Sequence, residues 1–411
     1  MNKALISVSL IFLLPFISIS QIIDFGEFEN ESIQKEGFQK FKEFIGDSRI
    51  VIIGEQEHGI GTHYQNFNFL SQFLHEEMDF DIIIQEYCFF EFYKVNDSLT
   101  KGKSAQNYRR GMYWPQGIAK EYNGFFNYLD QEANGEDPIQ MFGADPRIFA
   151  RDNFQNYLQN EFESKALQLN DKEQFFRILS QLLKFEYSDT ISTIQEKEFF
   201  LKSCESLKNQ YHFKKYAVFL WKERFIVNLM VFANNAWGGD GLKMDDPDRF
   251  FQREKGMADN IIWLAKNRFP DKKILIHLHN GHMAKNTHLL KTCLDSSQTK
   301  DLPNVGSLLN KEFGEDCLHF ATSYYQGTFC KWDYKEKNIP SPNANSLEAT
   351  MHAKEIEYGF MAFDSSINKP ELMFYCDFNL WMIHTSPKFP VNQLFDGFIF
   401  VDEARLPTKE K

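Results

Sequence analysis

Short apolar runs recur along this chain, and each closes on a residue that can carry or move a proton. Ile50–Gly54 leads into Glu55 and His58 within IVIIGEQEHG, and FDIIIQE (Phe80–Glu86) ends on Glu86. IQMFGAD (Ile139–Asp145) ends on Asp145, and KKILIHLHNGH (Lys272–His282) ends on His279 and His282. β-Branched residues on both faces of these runs predict fully buried parallel strands. The strands are expected at Arg49–Gly54, at Asp81–Gln85, at Ile139–Gly143 and in a run ending near Leu278. Between the first two, Phe67, Leu70, Phe73 and Leu74 recur at helical spacing. This predicts a helix over Thr62–Met78 and a βαβ unit. NGFFNYLDQEAN (Asn123–Asn134) reads as another helix.

Residues 152–236 show only the three-to-four-residue apolar period, through Leu158, Phe162, Phe175, Leu182, Phe199, Leu207, Phe219 and Phe225. This is a helical insertion, and the glycines of Gly238–Gly241 and Pro247 punctuate its exit. A helix containing Met257, Ile261 and Trp263 then feeds the fourth strand. A mixed region at Cys317–Phe329, a Pro/Asn-rich loop and a last apolar run at Gly397–Glu403 follow. The expected fold is α/β and three-layer, with a mostly parallel central sheet and the large helical insertion. It spans 21–406, with 407–411 as a tail and residues 21–48 as an amphipathic leading segment.

Composition narrows the class. A net charge of −12 and the lack of a Lys/Arg tract argue against a nucleic-acid partner, which needs a basic stripe for the phosphates. Met1–Ser20 reads as a signal peptide: Lys3, an uncharged apolar run, then small residues before Gln21. The expected location is therefore periplasmic or secreted, with no membrane association after signal removal. The six cysteines are widely and irregularly spaced without a C-x-x-C. Cys317 and Cys330 flank a predicted hairpin and make the best candidate for a disulfide.

In open α/β sheets the ligand crevice lies at the carboxyl ends of the strands, so the four runs deliver their titratable groups to one place. Glu55 beside His58 can orient the imidazole and leave its other nitrogen as a general base. Glu86 follows a continuous buried run, where an ionised carboxylate calls for a partner or a function. His279 and His282 belong in the loop at the mouth of the sheet, whereas His277 is buried and structural. Asp145 and Arg147 also read as a turn acid and an exposed base, and Arg253 has the charge to pair with one of the acids. The set Glu55, His58, Glu86, His279 and His282 also matches a divalent-metal ligand inventory. There is no G-x-S-x-G elbow, P-loop or H-E-x-x-H.

With those residues in view, the chain resembles the erythromycin esterase family from about Ser48 to Leu406. The matching motifs are GEQEHG, the strand ending in Glu86, Trp114–Pro115, and GAD at Gly143–Asp145. REKGMADN (Arg253–Asn260), HNGH (His279–His282), Ser346–Glu348 and FDGFIFVDE (Phe395–Glu403) complete the series. The resemblance implies metal-independent hydrolysis of a macrolide lactone, with no cofactor. His58 would be the general base on water, and Glu55, Glu86, His279 and His282 would complete the site. Phe67 stands where many members carry a basic residue, and Glu57 where a small one is usual. The resemblance therefore implies a retained core site and a shifted substrate. The expected function is an exported hydrolase of a small, apolar ester or lactone. The alternatives are a metal- or haem-binding protein using the same His/Glu cluster, and a catalytically inactive carbohydrate- or partner-binding module.

Overall fold

A computed structural model describes residues 22–26, 35–113, 115–135, 137–149, 151–184, 193–212, 217–237, 247–287, 303–331, 335–342, 344, 346–363, 373–374, 383–384 and 391–410. The segment Met1–Ser20 expected to be a signal peptide, the glycines of Gly238–Gly241, Trp114, Cys293 and Cys376 lie outside the described residues.

The strands are β1 (Ile22–Gly26), β2 (Ile50–Glu55), β3 (Ile82–Cys88), β4 (Gln140–Asp145) and β5 (Ile274–His279). They continue with β6 (Cys317–Cys330), β7 (Glu336–Asn338), β8 (Tyr358–Ala362), the short pair β9 (Met373–Phe374) and β10 (Ile383–His384), and β11 (Gly397–Ala404). A nine-stranded sheet runs β1-β8-β11-β6-β2-β5-β3-β4, with β7 paired to β6. From β11 to β4 every pairing is parallel, while β8 is antiparallel to both its neighbours. The sheet is thus α/β and mostly parallel, as the apolar runs predict.

Alternation along the buried strands sends side chains into two aromatic-rich cores. Ile50, Ile52, Ile82, Ile84, Ile274 and Ile276 pack on α5 (Arg151–Glu163), α6 (Lys172–Lys184), α7 (Ile194–His212), α8 (Ala217–Trp237) and α9 (Pro247–Trp263). Val51, Ile53, Ile83 and Leu275 face the other layer, with α1 (Lys35–Ile45), α2 (Gly61–Met78) and α4 (Asn123–Glu132). Each fully buried Ile is worth roughly 1.5–3 kcal/mol, so the sheet is fixed from both sides. The helices α5 to α8 share one continuous core with the sheet. No helix among the described residues is long and apolar enough to cross a membrane.

One expectation needs correction, and the leading segment, whose amphipathic stretch is α1, gains a strand. Cys317 and Cys330 are the two ends of the single strand β6, and both are buried thiols outside any disulfide. A strand of that length holds its ends about 40 Å apart, whereas a disulfide needs Cα atoms within about 7 Å. The leading segment contains β1, which pairs with β8 through the Ile22↔Met361 register. Its few residues carry too short a pattern to announce a strand without that partner.

Candidate active site

The strands run a residue or two further than their apolar runs, which puts the polar termini inside the sheet's hydrogen-bond ladder. Glu55 is the last residue of β2 and lies in register with His279, the last residue of β5. Three residues on, His58 turns back so that its Nδ1 meets Glu55 Oε2 at 2.8 Å. The Glu55 side chain is 3% exposed and that of His58 13%, so the imidazole is the member of the pair open to solvent. The Tyr64 hydroxyl, from α2, donates to the His58 carbonyl, and Glu57 Oε1 accepts from the His58 amide at 3.2 Å. Burial pushes the Glu55 carboxyl up, against the pull of His58. Burial alone would lower His58, but the carboxylates Glu55, Glu86 and Glu57 outweigh it and raise the imidazole above its ordinary range. Burial also raises Glu57 to about 7.

Glu86 owes its direction to a local irregularity. Gln85 pairs with Gly143 and Cys88 with Asp145, so β3 carries one residue more than β4 across this interval. Such a bulge re-aims a side chain. A Cβ at Gly143 would collide with the carbonyls of Tyr87 and Cys88, which explains the glycine of the GAD motif. Glu86 Oε1 accepts from Arg253 Nη2 at 2.7 Å, and Oε2 accepts from the His279 amide at 3.1 Å. Arg253, from α9, also donates to Asp145 Oδ2 from Nε at 2.9 Å and from Nη2 at 2.7 Å. Asp145 further accepts from the Arg147 amide at 2.8 Å and its Nε at 2.9 Å, and from the Tyr113 hydroxyl. Burial opposes both charges, but His282 and Arg253 hold Glu86 well below the usual carboxylate range, as Arg147 and Arg253 do for Asp145.

His282 lies between two acids, 2.5 Å from Glu254 Oε1 through Nδ1 and 3.2 Å from Glu86 Oε1 through Nε2. Burial disfavours its charge, yet Glu254 and Glu86 raise it to about 9, so it is a cation at neutral pH. His279 is the opposite case. Burial, with His58 and His282 nearby, lowers it to about 3. Its Nδ1 accepts from the Gly281 amide at 3.1 Å, which assigns the proton of the neutral ring to Nε2. Its ring centre is 5.2 Å from that of His58. Asn280, the residue after His279, is a fastener: it spans the end of β2 to bond the Thr322 carbonyl at 2.8 Å and amide at 3.2 Å. Gly54 leaves room for it, since a Cβ there would strike the Asn280 side chain.

Thus Glu55, His58, Glu86, His279 and His282 do converge, with Asp145, Arg147 and Arg253. His277 lies below them, buried, 2.7 Å from His63 Nε2, with Phe67 stacked on its ring at 4.1 Å. Three partners were not singled out from sequence. Tyr113 bonds Asp145, Arg147 and Arg253, and its position beside Trp114–Pro115 was the available signal. Glu254 follows Arg253 in the same motif and also accepts from the Val305 amide at 2.9 Å. His63 is buried on α2, and nothing in its sequence neighbourhood distinguishes it. Among the described residues, no three His, Cys, Asp or Glu side chains gather in a way that suits a metal ion. The guanidinium of Arg253, 3.3 Å from His282 Nε2, occupies the place where such an ion would be repelled.

The comparisons with known proteins bear on the fold and the family. The profile of the family described as erythromycin esterase matches residues 75–404, and the chain belongs to that family. YbfO of Bacillus subtilis (strain 168), whose hydrolase assignment is itself an inference, is 23% identical over 393 residues, covering 88% of this chain and 85% of its own. Erythromycin esterase type II of Escherichia coli is 22% identical over 374 residues, covering 80% and 84%. A crystal structure of a Bacillus cereus protein superposes with a TM-score of 0.71 at 15% identity, covering 95% of this chain and 97% of that one. The erythromycin esterase EreC, as a histidine variant in its open conformation, gives 0.64 at 14% identity over 93% and 97%. These two likenesses establish the fold, and the family establishes a hydrolase.

Proposed function

We propose that this protein cleaves an ester or lactone by general-base activation of water, with His58 as the base. The observation that carries the reading is the Glu55–His58 pair, joined at 2.8 Å at the carboxyl end of the central strand β2. Glu55 takes Nδ1, so a water is deprotonated through Nε2. The hydroxide adds to the carbonyl carbon, and the tetrahedral oxyanion forms beside the cations His282 and Arg253. Collapse breaks the C–O bond, and the proton on His58 passes to the leaving alkoxide, giving acid and alcohol. General-base catalysis of this kind contributes roughly 10²–10⁴-fold, and oriented charges at the oxyanion add to it. His279, neutral and next to His58, positions the reacting groups, and Glu86 holds His282 and Arg253 in their charged forms.

The substrate is proposed to be a small molecule carrying an apolar ester or lactone. Macrolides are the first class to try, given the relatives' names. We also propose export, with cleavage before Gln21, which the mass of the mature N-terminus would check.

The decisive assay is hydrolysis of a panel of macrolides, simple lactones and esters, with and without chelator. Turnover that survives chelator and is lost in a folded His58→Ala variant is expected. Equal rates in the variant and the parent would overturn the assignment. Chelator-sensitive turnover would move the cluster to a metal site.

A further inference from the structure

A second cleft, of roughly 410 Å³, opens between α5 and α3 (Phe89–Leu99) and shares no lining residue with the His58 site. Its size falls within the range of small-molecule sites, about 300–1,000 Å³. Its chemistry is unlike the rest of this acidic chain. Lys94, Lys103 and Arg110 converge on it, and among the described residues none of them has a carboxylate within ion-pair distance. Lys101 is also there but is committed to Asp97 at 2.7 Å.

The opposite wall is a polar stripe. Asn153, Asn156 and Asn160 follow one another at three and four residues along α5, so they share one helix face, with Tyr157 among them. Among the described residues, the side-chain amides of Asn156 and Asn160 have no hydrogen-bond partner. At the floor lies Glu91. Its residue is only 4% exposed, its Oε1 has no hydrogen-bond partner, and its Oε2 has one long bond from Asn153 Nδ2 at 3.4 Å. Buried polar atoms without a partner are rare in native proteins and call for an explanation. A missing ligand donor supplies one here.

We propose that this cleft binds a hydroxyl-rich organic anion of monosaccharide size, such as a sugar acid or a sugar phosphate. The acidic group meets Lys94, Lys103 and Arg110. Its hydroxyls bond the Asn156 and Asn160 amides, and one donates to Glu91 Oε1. The apolar face of the ring rests on Tyr157 and Phe90. A carboxylate at the floor of a cationic cleft favours this ligand over a bare anion. It accepts hydroxyl protons and repels a small anion that penetrates deeply. Burial raises Glu91 to about 7, so the group also sits where a bound hydroxyl and ambient pH both influence it.

The test is isothermal titration calorimetry of the full chain with glucuronate, glucose 6-phosphate, glucose and inorganic phosphate. Either sugar anion should bind more tightly than both glucose and phosphate. Arg110→Ala and Asn156→Leu, both at solvent-facing positions, should each weaken it at least roughly tenfold, as loss of a charged or buried hydrogen bond does. Thermal unfolding of the two variants, unchanged from the parent, establishes that they are folded. Phosphate binding as tightly as either sugar anion, glucose binding as tightly, no binding at all, or affinity unmoved by both substitutions would each overturn the proposal.

Discussion

Two carboxylates close the apolar runs of β2 and β3, the strands on either side of β5, and are driven in opposite directions. Glu86 is met by two cations, Arg253 at 2.7 Å and His282 at 3.2 Å, and is held ionised. Glu55 is met by one imidazole, at 2.8 Å, and burial pushes its carboxyl up. Both are buried at the same level of the fold, so the difference is in partners rather than depth. Where fixed charges balance, a buried group is locked and serves as scaffold. Where the facing charge is a single titratable base, the proton between them is movable. The working pair is therefore Glu55–His58, and the Glu86–Arg253–Asp145 network is the charged frame around it.

The strongest way to break that contrast is to remove the cation at the centre of the frame. Arg253→Met leaves Glu86 without its closest partner and strips one from Asp145. Losing one member of a buried ion pair costs about 3–5 kcal/mol. A drop of that size is expected in urea unfolding, with hydrolysis lost as well. Adding Glu86→Gln to Arg253→Met should recover part of the stability, because the unpaired charge is gone. Glu55→Gln alone should cost much less stability while sharply lowering kcat. Equal destabilisation by Glu55→Gln and Arg253→Met would erase the distinction between frame and working pair.

A smaller effect appears on raising the pH. His282 titrates at about 9 in the folded protein against 6.5 for the free side chain. A raised folded-state value means stability that is fully present below 6.5 and lost as pH climbs through 9. That interval corresponds to roughly 3 kcal/mol. Glu86, shifted the other way, contributes stability above the ordinary carboxylate range and loses it in acid. Urea midpoints should therefore fall between neutral pH and about pH 9, and His282→Gln should flatten that slope. A parent profile that is level on the alkaline side would show that the frame does not hold His282 charged.

Much of this was legible from the apolar runs. Each of the four runs is a parallel strand, and each presents its terminal acid or imidazole at the same edge. The sheet order and the pairing of Arg253 with both Glu86 and Asp145 were not legible, because both depend on contacts between residues far apart in sequence. His63 is hidden for the same reason: a buried histidine in an aromatic-rich chain carries no local mark. The hairpin predicted between Cys317 and Cys330 is instead the single strand β6. Gly327 lets the strand lie close against the backbone of Ala404 on β11.

The finest probe of the working pair is its second acid. Glu57 Oε1 accepts from the His58 amide, and its carboxylate is one of three that raise the imidazole. The base form of His58 then requires a pH above its ordinary range, so kcat/KM should rise with pH through the neutral-to-alkaline region. Glu57→Gln removes a negative charge and keeps the shape, so the imidazole loses its proton more readily. The ascending limb should move to lower pH by up to about one unit, with the plateau rate little changed. Movement in the alkaline direction, or none, would mean that the limb reports a group other than His58. In that case the frame, rather than the pair, sets the pH dependence of the reaction.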